Sequence, residues 1–543
     1  MVLAADHTEI RQSIPSSNRG RHNRSRQDDA TCKRQRDDPA LISVHSGQPG
    51  SRPFADRETP LAPSLDRRQP LHFIGVGGIG MSALAGILSE RGFSVSGSDP
   101  RDHGVLTQLR QLGVRVFREQ SASTIDAIRS GISTAPLVVI SSAVPETNPE
   151  LRAARRAGLT VCHRSDVLAA LINSQPSIAV AGSHGKTTTS SLIATLLAAT
   201  HHDPTAVIGG IVPAFGSNGR HGEGRLLVAE ADESDGSLVK FQARLGVLTN
   251  LELDHTDHYP DLNALIGTVK RFTDRCGQLL ANGDCPVLRQ HFRADHWWST
   301  QQQQQAAFAA IPRECRGDGT VADYFEQGRP LGTLTIPLPG LHNLSNVTAA
   351  VAACRLEGVS FAELQQAVTH LQAPGRRFDY RGSWQERLVV DDYAHHPSEV
   401  QATLAMARLM VRSGATTLPH VPRRVLAVFQ PHRYSRTGQF LDGFAQALSH
   451  ADAVLLAPLY SAGEQPINGI SSEALATAIA GHNPQLAISV ATSTDELTTL
   501  VAHHSRPGDL VLAMGAGDIN GLWERLNRFS QLDANDGSLP LAA

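Results

Sequence analysis

At 543 residues the chain is longer than one ordinary core can organise, and its length predicts roughly three or four domains. Its 49 basic and 52 acidic side chains leave a formal net charge of -3, without the basic excess that marks a nucleic-acid-binding protein. No apolar run is long enough to span a membrane, and the opening MVLAADHTEIRQ lacks the charged-then-apolar layout of a secretory signal, so no nucleic acid, no membrane span and a cytoplasmic setting are expected.

Residues 1–69 are rich in Arg, Asp, Ser, Gln and Pro with little apolar periodicity, which predicts a disordered extension; its NRGRHNRSRQ run reads as a solvated tail. From Leu71 the texture changes to strand, glycine loop and helix. Gly75, Gly77 and Gly80, with Gly78 between them, form G-x-G-x-x-G after an expected strand from Leu71 to Ile74. A second expected strand, Ser94 to Gly97, ends at Ser98 and Asp99, where an acidic side chain can hold a ribose hydroxyl. This opening suits NAD, and equally any diphosphate-linked nucleoside, a UDP-sugar among them. Further strands are expected at Leu137 to Ser141 and Leu159 to Val161, closing a unit near Asn173.

A second nucleotide-type unit begins at AVAGSHGKTTTSSLIATLLAAT. A strand ending near Ala181 turns through Gly182, Ser183, His184 and Gly185, then enters a helix in which Leu192, Ile193, Leu196 and Leu197 recur at helical spacing. Unpaired N–H groups and the positive dipole end at such a helix start attract an anion. Lys186 adds a cation for the outer phosphates, and Thr187, followed by Thr188, stands where a phosphate loop places its Mg²⁺ ligand. The general pattern wants a further glycine where Val180 stands, so that match is incomplete. Downstream, RLLVAEADESD carries Glu230, Asp232, Glu233 and Asp235, and LGVLTNLELDHTDHY ends in Asn250, Asp254, His255 and Asp257. Carboxylates and an imidazole after buried strands, beside a phosphate loop, suit a nucleotide-bound Mg²⁺. The glutamines from Gln301 to Gln305 read as a surface loop. The final third repeats the α/β rhythm, with DYAHHPSE, QPHRYSRTGQF, APLYSAGEQP and MGAGDI following expected strands and expected to line one rim. The six cysteines are scattered without a C-x-x-C pair, as reduced thiols would be.

The ordered set GSHGKTTT, EADESD, TNLELDH, GLHNLSN, GRRFD and DDYAHHPSE resembles the Mur ligases of peptidoglycan synthesis, over about Pro70 to Leu526. That family's shorter G-x-x-G-K-T loop accounts for Val180. The resemblance implies an α/β protein of three domains: a Rossmann-like UDP-substrate-binding domain at 70–173, a central P-loop ATPase-type domain at 174–374, and a C-terminal Rossmann-like α/β domain at 375–530, with a flexible tail at 531–543. Within the family, GVGGIGMSALA, QPHRYSRT and YSAGEQPINGI resemble the member that adds the first amino acid. The implied reaction joins L-alanine to the lactyl carboxylate of UDP-N-acetylmuramate with ATP and Mg²⁺, through an acyl phosphate. By the same resemblance Gly182 to Thr188 wrap the phosphates, Lys186 contacts the outer ones, Thr187 and Glu230 hold a first Mg²⁺ and His255 a second. Asn343, Asn346, Arg377 and Asp392 match nucleotide contacts, with Lys186, His255 and Arg377 as the catalytic set. Arg433 and Arg436 match a rim expected to bind amino acid carboxylate or phosphate. Lys270 falls near the position of a carbamoylated lysine in sister ligases, and an ordinary exposed lysine is the alternative. A relative that joins a recycled tripeptide shares the same domains. A dinucleotide-binding redox or sensor protein would account for Gly75 to Gly80 only.

Overall fold

The computed structural model describes residues 65–101, 104–131, 133–302 and 304–536. The expected extension therefore lies mostly outside the described residues, as do residues 537–543 of the expected tail. Two boundaries differ from expectation. Leu65 packs on the first core and the Gln69 amide donates to the Ala135 carbonyl at 3.2 Å, so residues 65–69 belong to the fold. The final helix, Leu522–Asp536, runs past residue 530.

Runs of Val, Ile, Leu and Ala that bury every residue form parallel strands covered on both faces by helices. The first sheet contains β1 (Leu71–Ile74), β2 (Val95–Ser98), β3 (Arg115–Phe117), β4 (Leu137–Ile140) and β5 (Val161–His163), in the order β3-β2-β1-β4-β5, all parallel. The fifth strand starts at Val161 instead of Leu159, because the helix before it ends in a Gly158 turn at φ +69° and Leu159 packs into the core ahead of the ladder.

The second sheet has ten strands. Its parallel centre comprises β6 (Ser177–Ala181), β9 (Leu227–Glu230), β10 (Leu245–Leu248), β11 (Gln278–Asn282) and β12 (His296–Ser299). On one side β7 (Thr205–Val212) and β8 (Ser217–Arg220) form a hairpin, and on the other β13 (Phe308–Arg316), β14 (Gly319–Glu326) and β15 (Arg329–Ile336) form an antiparallel meander. The full order is β15-β14-β13-β12-β11-β10-β6-β9-β7-β8. The third sheet, in the order β16-β17-β21-β18-β19-β20, contains β16 (Asp379–Trp384), β17 (Arg387–Asp392), β18 (Arg424–Phe429), β19 (Ala453–Leu456), β20 (Ala487–Val490) and β21 (Asp509–Met514); only β16 is antiparallel.

The three sheets pack through specific contacts. Gly219 of β8 lies so close to the helix Ile79–Glu90 that a Cβ there would stand 2.7 Å from the Ala83 backbone, which leaves no room for a side chain. Arg91 reaches Gln175 at 2.9 Å and Thr205 at 3.2 Å, and Lys240 pairs with Asp166 at 2.6 Å. Toward the third sheet, the amide of Gly375, the first residue of the GRRFD stretch, donates to Ile211 O of β7 at 3.0 Å. The Gln301 to Gln305 loop is exposed at its described positions.

Candidate functional site

β6 lies between β9 and β10 with every residue buried, and its carboxyl end delivers the chain to the loop Gly182 to Gly185. Gly182 has φ +127°, and a Cβ there would collide with Thr249 and the Asn250 backbone; Gly185, at φ +79°, has Asn346 Oδ1 at 2.6 Å from where a Cβ would be. Only glycine meets both demands, positive φ and close approach. The chain after β10 pins the loop from below. Ser183 N donates to Asn250 O at 3.0 Å, His184 N to Asn250 Oδ1 at 2.9 Å, and Ser183 Oγ to Glu252 O at 2.8 Å. In return Thr249 Oγ1 and Asn250 Nδ2 donate to the His184 carbonyl at 2.6 and 3.0 Å. Thr249 and Glu252 were not foreseen from sequence, and neither was the clamp formed by Asn250, because these residues act only through the register of two strands far apart in the chain.

The helix Lys186–Ala199 starts here with Gly185 as its cap and no side-chain cap, so its first amides face the loop. The Lys186 ammonium donates to the carbonyls of Gly182 at 2.8 Å and Ser183 at 3.2 Å and to Glu233 Oε1 at 2.9 Å. Burial opposes its charge, yet the Glu233, Asp232 and Glu230 carboxylates outweigh it and raise its pKa. Thr187 Oγ1 lies 3.0 Å from both oxygens of Glu230, which also accepts from the Gly209 amide at 2.8 Å. Burial raises the Glu230 pKa, with Lys186 opposing.

A second group lies beside the first. One ligand atom each from Asp232, Glu233 and His255 falls within 4.8 Å of the others, and His255 Nε2 is 3.5 Å from Glu233 Oε1. His255 has φ +52°, a costly conformation for histidine that holds its ring toward the acidic strand end. Burial lowers its pKa, but the Glu233 hydrogen bond and the Asp254 charge raise it overall. The oxygen-rich set of Thr187, Glu230, Asp232 and Glu233 is the donor chemistry Mg²⁺ prefers. Glu233, fully buried and bonded to Lys186, is the residue of the acidic run whose position sequence alone does not single out. Lys270 is exposed, with its ammonium 5.9 Å from the Phe292 ring, which favours the ordinary lysine of the two expected readings.

Asn346 reaches the loop, where its Oδ1 accepts from Thr189 Oγ1 at 3.2 Å, whereas Asn343 is buried and donates to Pro339 O at 2.8 Å. Thr188 is buried behind the loop. Arg377 lies with its guanidinium 5.0 Å from the Tyr393 ring, flanked by positive φ values at Arg376 (59°) and Phe378 (53°). Asp392, buried at the end of β17, accepts from Phe378 N at 2.7 Å and Ala394 N at 2.8 Å; burial pushes its pKa up to about 6 against the pull of Arg377.

The loops after β17, β18, β19 and β21 do meet on one rim: Arg433 N donates to Tyr460 O at 2.8 Å, Gln430 to Asp518 at 2.7 Å, and Gly515 N to Asp392 O at 3.1 Å. From this rim Arg436 inserts Nε and Nη2 onto Asp254 Oδ1 at 3.0 and 2.6 Å, both side chains buried, and Arg433 pairs with Asp257 at 2.5 Å. In this arrangement the two arginines, expected to bind carboxylate or phosphate, cross to the loop that carries His255.

In the first sheet's glycine loop, Gly75 has φ +80°, the Gly78 amide donates to Gly75 O at 3.1 Å, and Gly77 N donates to Asp99 Oδ2 at 3.0 Å. The other Asp99 oxygen accepts from Arg101 N at 3.0 Å, and Ser98 is buried and donates to Glu150 at 2.5 Å, so both shape the loop from within the sheet. A Cβ on Gly80 would stand 3.4 Å from the Arg164 guanidinium, which sequence had not singled out as a neighbour of this loop.

Three sequence profiles of one family match the chain: Mur ligase family, catalytic domain, over residues 70–176; Mur ligase middle domain over 180–354; and Mur ligase, glutamate ligase domain, over 376–517. The UDP-N-acetylmuramate–L-alanine ligase of Prochlorococcus marinus (strain MIT 9303) is 65% identical over 469 residues, 86% of this chain and 96% of that protein. The ligase of the same name from Synechococcus sp. (strain RCC307) is 63% identical, across 88% of this chain and 99% of its own length. Among solved structures, a UDP-N-acetylmuramate–alanine ligase from Thermotoga maritima shares the fold at a TM-score of 0.70 and 24% identity, covering 86% of this chain and 99% of its own. A murein peptide ligase from Psychrobacter arcticus does so at 0.61 and 22%, covering 85% and 98%.

Proposed function

The chain belongs to the Mur ligase family, and from that premise we propose that it joins L-alanine to the lactyl carboxylate of UDP-N-acetylmuramate, driven by ATP, in peptidoglycan precursor synthesis. The observation that carries this reading is the 65% identity, across nearly the whole of the relative's length, to a ligase of that name. It is an ATP-dependent amide-forming ligase with UDP-N-acetylmuramate and L-alanine as substrates. No described helix is long and apolar enough to cross a membrane; the cytoplasmic setting is part of the same proposal and follows from the proposed substrates.

The carboxylate must attack the γ-phosphate of ATP, so two anions have to be brought together before the alanine amine can displace phosphate from the acyl phosphate. Free amides at the start of Lys186–Ala199 face the phosphates, and Lys186, already poised on the Gly182 and Ser183 carbonyls, carries the cation that stabilises charge on the transferred group. Thr187, Glu230 and His255, with Asp232 and Glu233 beside them, would hold Mg²⁺, which when bound neutralises phosphoryl and carboxylate oxygens. Asn346 closes the loop from the helix Leu341–Leu356, which also carries Asn343, and Arg377 and Asp392 frame the nucleotide from the side of the third sheet. Gly75, Gly77, Gly78 and Gly80 give the UDP moiety close backbone approach, Asp99 fixes that loop with Ser98 behind it, and Arg164 supplies a cation beside it.

The test is phosphate release from ATP by the full chain with UDP-N-acetylmuramate and each candidate amino donor. L-alanine should support turnover and a murein tripeptide should not. Turnover with the tripeptide alone, or release that ignores UDP-N-acetylmuramate, would overturn the assignment.

A further inference from the structure

At the seam between the second and third sheets, reaching from the phosphate loop itself, lies a cluster whose side chains have no assigned part in the ligase chemistry, although His184 lends its backbone to that loop. His184 and Glu252 come from the second sheet's loops, and His396 and Glu399 from the start of the helix Pro397–Ser413. His184 Nε2 stands 3.4 Å from Glu252 Oε2, and His396 Nδ1 stands 3.6 Å from the same oxygen. One ligand atom from each of the three residues falls within 4.8 Å of the others. Ligands of a tetrahedral zinc ion at bonds of 2.0–2.1 Å are about 3.4 Å apart, so this spacing needs little adjustment.

Two further observations point to a ligand. Nε2 of His396, a residue only 4% exposed, is buried without a hydrogen bond, and His184 Nε2 has only its 3.4 Å approach to Glu252. Meanwhile His184 Nδ1 faces Glu399 Oε1 at 3.2 Å, the outer carboxylate that orients a metal-bound imidazole, and Ser398 Oγ donates to Glu252 at 2.5 Å. We infer that His184, Glu252 and His396 form a site for a transition-metal ion of the zinc class that bridges the phosphate loop and the third sheet. Two imidazoles and one carboxylate select Zn²⁺ or Co²⁺ over Mg²⁺, whose preference is for oxygen. An ion bound here ties the nucleotide-binding loop to the rim of the third sheet, and so inhibits turnover by holding the seam shut. The site itself stands independently of the substrate assignment.

Co²⁺ is the probe, titrated into the full chain in millimolar Mg²⁺ and read by its visible d–d absorption. Wild type should give a tetrahedral band that saturates at one equivalent. Glu252→Gln and His396→Asn should weaken it at least tenfold, and His255→Ala, at the Mg²⁺ group, should leave it in place. Asparagine is a good helix cap and can take over the Ser398 amide from His396, so this variant should keep its melting temperature. Zn²⁺ inhibition of ATP turnover should need at least tenfold more metal in His396→Asn than in wild type. No saturable band in wild type, or a band that survives His396→Asn and is lost in His255→Ala, would overturn the site.

Discussion

Lys186 and Glu233 show how one residue pair serves both fold and chemistry. The ammonium neutralises a carboxylate that is fully buried, and it is held by two loop carbonyls at the place where phosphates would enter. Lys186→Ala removes that cation, and loss of one such electrostatic contact costs on the order of a hundredfold or more in rate. Single-turnover acyl phosphate formation at saturating ATP is the measurement, and a rate within threefold of wild type would remove Lys186 from the transfer step. Asp392 offers a second test at this scale. Burial pushes its pKa up from 3.8 to about 6, against Arg377 and the amides of Ala394 and Phe378. The folded state therefore keeps a proton that the unfolded chain releases, and stability falls as pH rises from about 4 through about 6. Asp392→Asn retains an acceptor without the charge. Relative to wild type it should gain on the order of 2 kcal/mol between pH 4.5 and pH 7.5, seen in the melting transition of the third sheet. Parallel pH profiles for the two proteins would contradict the burial argument.

At the scale of elements, the phosphate loop is a strand, a glycine turn and a helix start whose register is set by its neighbour. Gly185 sits in a left-handed conformation against Asn346 Oδ1. Gly185→Ala adds both backbone strain, about 1 kcal/mol, and a clash, while the strand and helix on either side stay buried. ATP affinity measured by calorimetry should fall tenfold or more with little change in melting temperature; unchanged affinity would show that the turn tolerates a side chain. Much of this element was legible in sequence, because glycines, lysine and threonine between an apolar strand and a periodic helix are local signals. The carboxylate of Glu230 and the imidazole of His255 were legible for the same reason, as polar side chains at or after the end of an apolar strand. The edges of the second sheet were not. The meander of β13, β14 and β15 and the hairpin of β7 and β8 carry mixed, half-exposed patterns that alternate weakly, and their place beside a parallel core depends on pairing across the sheet. The roles of Asn250 and Glu252 stayed hidden too, since a side chain that clamps another loop leaves no pattern in its own segment.

The whole molecule depends on how the third sheet meets the second, and no local signal announces that seam. It is crossed by Arg436 on Asp254, Arg433 on Asp257, Ser398 on Glu252 and His184 beside Glu399, pairs whose partners are far apart in sequence. Arg433 and Asp257 are partly exposed and contribute little, as solvent-screened pairs do. Arg436 and Asp254 differ, being 7% and 4% exposed in their side chains. Burial disfavours the Asp254 charge, and Arg436, with His255 and His395, keeps its pKa low. Arg436→Ala would strand that carboxylate, a loss of about 3–5 kcal/mol for a buried pair broken from one side. Little of that loss need fall on the cores of the sheets, which are built from their own apolar clusters. The seam should therefore give way first: the radius of gyration from solution scattering should rise, and a single melting transition should split. Adding Asp254→Asn to Arg436→Ala removes the stranded charge and should recover part of the loss. Scattering and melting that match wild type in the single variant would show that the remaining contacts hold the seam. A double variant worse than the single would show that Asp254 serves the His255 loop more than it serves Arg436.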